Sequence, residues 1–221
     1  RDPARRPQDR PPAARLRAPG PAAIRAIKAV VFVLALLPLA RLVAGFFLDR
    51  LGANPIELIT RSTGTWTLSF LLITLSVSPL RELSGWNWLL RLRRMLGLFA
   101  FFYACLHLLS YGWLDMGLDV ADIARDILKR PFILVGFACW LLLLPLAATS
   151  FNRAVRALGA RQWLVLHRLI YVIAPLALLH FFWMRAGKND FAEVALYGGI
   201  LGALLFERLL RYFQPKPRTS A

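Results

Sequence analysis

Long apolar runs alternate with short polar, mostly basic segments along almost the whole chain. A helix rises 1.5 Å per residue and the hydrocarbon core of a bilayer is about 30 Å thick, so such runs read as membrane-spanning helices. Six spans are predicted, at about 24–48, 65–80, 95–113, 131–149, 163–184 and 192–213. Pro38 is read as a kink in the first and Pro145 as a break near the end of the fourth. In the short second span, Thr74, Ser76 and Ser78 are expected to bond backbone groups or neighbouring helices. Between the third and fourth spans, LDMGLDVADIARDILKR places apolar residues at helical spacing, which predicts an amphipathic helix lying on the membrane surface. The segments DRLGANPIELITRSTG, RELSGWNWLLRLRR and SFNRAVRALGARQ are read as loops. The expected fold is all-α and integral to the membrane. It is a six-transmembrane-helix bundle forming one domain over 24–213, with a disordered basic tail at 1–23 and a short disordered tail at 214–221.

Composition agrees with the pattern. Of 221 residues, 58 % are hydrophobic, against about 45–50 % in a soluble domain. The net charge of +16 would suit nucleic acid, but its placement argues against that partner. Nineteen Lys and Arg flank the spans on one side and seven on the other. The positive-inside rule puts the nineteen, and both termini, in the cytoplasm, where they meet anionic membrane lipid. The basic start runs into the first span without a small-residue cleavage site, so no cleavable signal peptide is expected. Cys105 and Cys139 both fall within spans and are expected to be packing residues.

The chemistry lies in the histidines. There are three, His107, His167 and His180, and all fall within predicted spans, where an ionisable residue is costly and points to function. Imidazoles at membrane depth on different helices suit a haem iron held between them. In the expected topology His107 lies twelve residues into its span, or ~18 Å. His180 lies about 25 Å along the fifth span, so the two share one half of the membrane. That places haem between the third and fifth spans. His167 lies nearer the cytoplasmic edge. It is thirteen residues from His180, which on a straight helix is about 220° of rotation. Both can face the bundle centre only if the helix breaks between them, and Pro175 is the sequence candidate for that break. Otherwise which of the two faces His107 stays open. Arg93 lies fourteen residues before His107, on nearly the same helical face. With Arg91 or Arg94 beside it, and His167, it is expected to frame an anionic group such as a haem propionate or a flavin phosphate.

With these residues in view, the chain resembles the MsrQ family, formerly YedZ, within the wider ferric-reductase-like transmembrane group. The carriers are LGANPIELITRSTG (51–64), RLRRMLGLFAFFYACLHLLSY (91–111), KRPFILVGFACWLLLLPLAATS (129–150) and RQWLVLHRLIYVIAPLALLH (161–180). Members are haem-binding membrane subunits of the bacterial periplasmic methionine sulfoxide reductase system. The resemblance implies haem b, with His107 and His180 as axial ligands and His167 as a third haem-associated position. It also implies FMN and a place in the inner (plasma) membrane. Electrons would arrive from the quinone pool or a cytosolic flavin reductase. They would leave to MsrP, a periplasmic molybdopterin partner that performs the sulfoxide chemistry during repair of oxidised proteins. Relatives with two haems carry a histidine near Arg93; this chain does not. No catalytic triad, nucleotide fingerprint or intramembrane carboxylate pair is present. The rival readings are a stand-alone ferric or metal reductase, a proton-coupled transporter with histidine relays, and a haem-free scaffold.

Overall fold

The computed structural model describes residues 19–187 and 189–213. Among these residues there are eight α-helices and no strand. Residues 1–18 and 214–221, most of the two expected tails, lie outside the described residues. α1 (Pro21–Phe47) starts slightly earlier than expected, with Pro21 at its first position, where a missing N–H costs nothing.

Among the described residues, five helical stretches are long and apolar enough to cross a membrane: Pro21–Phe47, Pro55–Ser84, Asn87–Asp115, Pro131–Ala148 and Asn152–Ala186. The expected sixth span is a helix, α8 (Ala192–Phe213), but it is not among the five. Glu193, Glu207, Arg208 and Arg211 lower its hydropathy.

α2 (Pro55–Ser84) is far longer than the predicted 65–80, because most of LGANPIELITRSTG is helical. Asn54 caps it by accepting the Glu57 N–H at 3.2 Å, Pro55 takes the first position, and Gly85 ends it in the left-handed conformation. α3 (Leu90–Leu109) follows a short 3₁₀ turn, Asn87–Leu89, and runs into a π-helical turn, Ser110–Asp115. α4 (Val120–Lys129) is the expected amphipathic helix; Ile127 is buried while Val120 and Leu128 are exposed. α5 (Pro131–Ala148) matches the fourth predicted span.

The next segment departs from expectation. SFNRAVRALGARQ is not a loop: α6 spans Asn152–His167, with a break at Gly159 (φ 74°). Its polarity suggests a loop, but its Ala, Arg, Leu and Gln content favours helix. α7 (Ile170–Ala186) continues the same helical stretch after Arg168 and Leu169, which keep right-handed helical φ/ψ but bond i→i−3, a local tightening of the helix. The interruption of the regular α-helical ladder between His167 and His180 is therefore at Arg168–Leu169. Pro175 lies inside α7.

α2, α3 and α7 form the centre. Leu71, Leu75, Ala100, Tyr103, Ile173 and Ala174 are essentially inaccessible. α1 lies at the periphery: only Ile24, Ala35 and Leu42 of its 27 residues are buried, and its other apolar side chains suit contact with lipid. Two polar side chains repair helices that prolines interrupt. The Tyr103 hydroxyl accepts from Leu39 N–H at 3.2 Å and donates to Ala35 C=O at 2.8 Å, bridging groups beside Pro38 that a straight helix would join directly. Pro79 cannot donate to the Leu75 carbonyl, and Arg208 Nη2 does so instead.

Candidate functional site

His107 projects from α3 and His180 from α7, and their ring centroids are 6.0 Å apart. Each ring is held the same way. His107 Nδ1 lies 2.8 Å from the Thr60 carbonyl on α2, and His180 Nδ1 lies 2.6 Å from the Phe132 carbonyl on α5. A carbonyl can only accept, so each Nδ1 is the protonated nitrogen and each Nε2 keeps a lone pair. This arrangement is the usual one for a metal-binding histidine, whose second nitrogen donates to a carbonyl or carboxylate. Imidazole–metal bonds are about 2 Å long, so two rings ligating one ion by Nε2 from opposite sides have centres about 6 Å apart. The pair fits that spacing.

Two glycines make room for the rings. A Cβ on Gly64 would lie 3.0 Å from His107 Cε1, and one on Gly136 would lie 2.8 Å from His180 Cε1. Gly64 is one helical turn from Thr60, and Gly136 one turn from Phe132. The same face of each helix therefore supplies both a carbonyl and a gap. Sequence reasoning missed both glycines, although glycine inside an apolar span is itself a sign of close approach. The accepting carbonyls carry no sequence signal. The cavity around the histidines is walled by apolar side chains from α2, α3, α5 and α7, including Leu71, Leu143 and Ile173.

His167 does not join this pair. At the end of α6 it lines a second cavity with Arg93, Arg94, Arg168 and Tyr171. Its Nδ1 donates to Trp163 O at 3.0 Å, and its ring stacks on Trp163 with centroids 3.9 Å apart. His167 Nε2 is buried with no hydrogen-bond partner among the described residues, which is costly unless something occupies the cavity. Arg94 is steadied by Asn152 Oδ1, and Trp163 Nε1 donates to Thr149 O at 2.9 Å. The structure thus brings His167, Arg93 and Arg94 together; Arg91 is exposed and is not part of the lining. Leu71 and Leu143 line both cavities, so little more than one layer of side chains separates them.

Residues 62–178 match the family model described as ferric reductase like transmembrane component. The chain is 53 % identical to the protein-methionine-sulfoxide reductase heme-binding subunit MsrQ of Herminiimonas arsenicoxydans, over 92 % of this chain and 93 % of that one. It is 58 % identical to MsrQ of Polaromonas naphthalenivorans, over 85 % and 86 % of the two chains. It is 56 % identical to MsrQ of Ralstonia nicotianae, over 84 % and 85 %. No solved structure matches. On this similarity along nearly its full length, the chain belongs to the MsrQ family of heme-binding subunits of protein-methionine-sulfoxide reductase.

Proposed function

We propose that the protein is the membrane electron-transfer subunit of a methionine sulfoxide reductase system, with a haem b held between His107 on α3 and His180 on α7. The observation that carries this reading is the facing pair of imidazoles, each with Nδ1 donated to a carbonyl and Nε2 left to bind metal. Thr60 and Phe132 orient the rings, Gly64 and Gly136 admit them, and the apolar walls keep water from the metal. When bound, the haem iron supplies a one-electron carrier whose potential depends on its ligands, burial and neighbouring hydrogen bonds.

The second cavity takes the anionic end of a further cofactor, FMN or a porphyrin. Arg93 and Arg94 supply charge, and the buried Nε2 of His167 supplies a bond. In the reading we favour, electrons enter on this side from quinol or a cytosolic flavin reductase. They leave from the His107–His180 side to MsrP, a periplasmic molybdopterin enzyme that reduces methionine sulfoxide in oxidised proteins. The bundle sits in the bacterial inner membrane with α8 as its sixth span and both termini cytoplasmic, as the basic segments direct. The names of the relatives favour this over a stand-alone metal reductase.

The test is spectroscopic. Protein purified in detergent should show a reduced-minus-oxidised haem spectrum that His107→Ala or His180→Ala abolishes or converts to a five-coordinate form. A spectrum untouched by both substitutions removes the assignment.

A further inference from the structure

The charged groups lining the His107–His180 cavity are unevenly placed. The two imidazoles face each other across it. Thr60, Arg61 and Arg185 gather at one end, where α2 enters the bundle and α7 leaves it. Arg61 lies one turn before Gly64, and Arg185 lies five residues beyond His180.

Each guanidinium is held from the solvent side. Arg61 Nε pairs with Glu57 at 2.9 Å. Arg185 pairs with Asp190 at 2.8 Å and with Glu193, and it lies over the Phe181 ring at 5.3 Å. The Arg185 side chain is only 16 % exposed, while Asp190 and Glu193 are 46 % and 48 % exposed. The carboxylates therefore face water, where their charge is screened, and none of them lines the cavity. A guanidinium has five N–H donors, so these pairings fix each arginine without exhausting it. A third observation points the same way. Thr60 Oγ1, in the same lining, is buried with no hydrogen-bond partner among the described residues, which calls for a partner from a ligand.

We propose that Thr60, Arg61 and Arg185 bind the two propionates of the haem, setting its in-plane orientation with both carboxylates towards this end of the bundle. The inference rests on the haem reading above and adds the anchor to it. A metal site in the middle and anion-binding groups at one end match the chemistry of a porphyrin, which carries both carboxylates on one edge. Arg61 and Arg185 are positioning residues. They hold the porphyrin by charge-assisted bonds, and their positive charge favours the reduced state of the metal.

The experiment titrates the full chain, purified in detergent from haem-depleted cells, with haem and with haem dimethyl ester, whose propionates are capped. The wild type is expected to bind the ester about 10- to 100-fold more weakly. Arg61→Gln and Arg185→Gln should each shrink that preference and lower the midpoint potential, while the absorption spectrum keeps its two-imidazole form. Arg185→Lys should restore part of the preference. Equal binding of haem and ester by the wild type overturns the proposal and leaves the haem reading intact. A full preference in both Gln variants overturns it too, placing the propionates elsewhere. Failure of the wild type to bind either porphyrin overturns the haem reading and this one with it.

Discussion

Replacing Gly136 by Ala should displace His180 and weaken haem binding. The added Cβ would lie 2.8 Å from His180 Cε1 and 2.9 Å from its Nδ1. Carbon contacts are comfortable at about 3.5–4.0 Å, so the ring must retreat by about 0.7 Å or more. It has little freedom to do so, because Nδ1 is tied to Phe132 O at 2.6 Å on the same helix. Overpacking of this kind costs about 1–3 kcal/mol, and losing the hydrogen bond adds about 1 kcal/mol. A cost of about 2 kcal/mol corresponds to roughly 30-fold weaker haem retention. In the haem-free protein the preference of a helix for Ala over Gly, about 1 kcal/mol, offsets part of the same cost. The assay is a haem titration of Gly136→Ala in detergent, read beside thermal unfolding of the haem-free protein. Gly64→Ala, with its closest contact at 3.0 Å, should show a milder loss, and Gly199→Ala, with nothing within 4 Å, none. Wild-type haem affinity and spectrum in Gly136→Ala would refute the claim that this glycine exists to seat His180.

Two further predictions come from polar groups elsewhere in the bundle. Tyr103→Phe removes the hydroxyl that bridges Leu39 N–H and Ala35 C=O. It should lower stability by about 1–3 kcal/mol, seen as a lower melting temperature with an unchanged haem spectrum. His167→Ala should leave the spectrum of the His107–His180 haem in place and reduce the content of the second cofactor, measured as pigment and flavin per chain; loss of the first haem instead would show that the two cavities are not independent.

Much of this protein can be read without coordinates. Hydrophobic run length announces membrane helices. Histidines within apolar spans single out the candidate site, where His107 and His180 meet. The amphipathic α4 and the depth match of His107 with His180 follow from period and rise alone, which are local properties of a helix. The expected loops fared worse. The residues before Gly64 and the segment leading to His167 are polar and so read as loops, yet both are rich in good helix formers and are largely helical.

What only the tertiary structure decided are contacts between helices distant in sequence. Thirteen residues of spacing could not say that the helix tightens at Arg168–Leu169, or that His167 lines a different cavity from His180. Nor could it say that the Thr60 and Phe132 carbonyls would orient the two rings, or that Gly64 and Gly136 would stand opposite them. Backbone acceptors are present at every residue, so sequence cannot mark the two that matter. Which of them meets an imidazole is set by how four helices pack, and that is decided by the whole bundle at once.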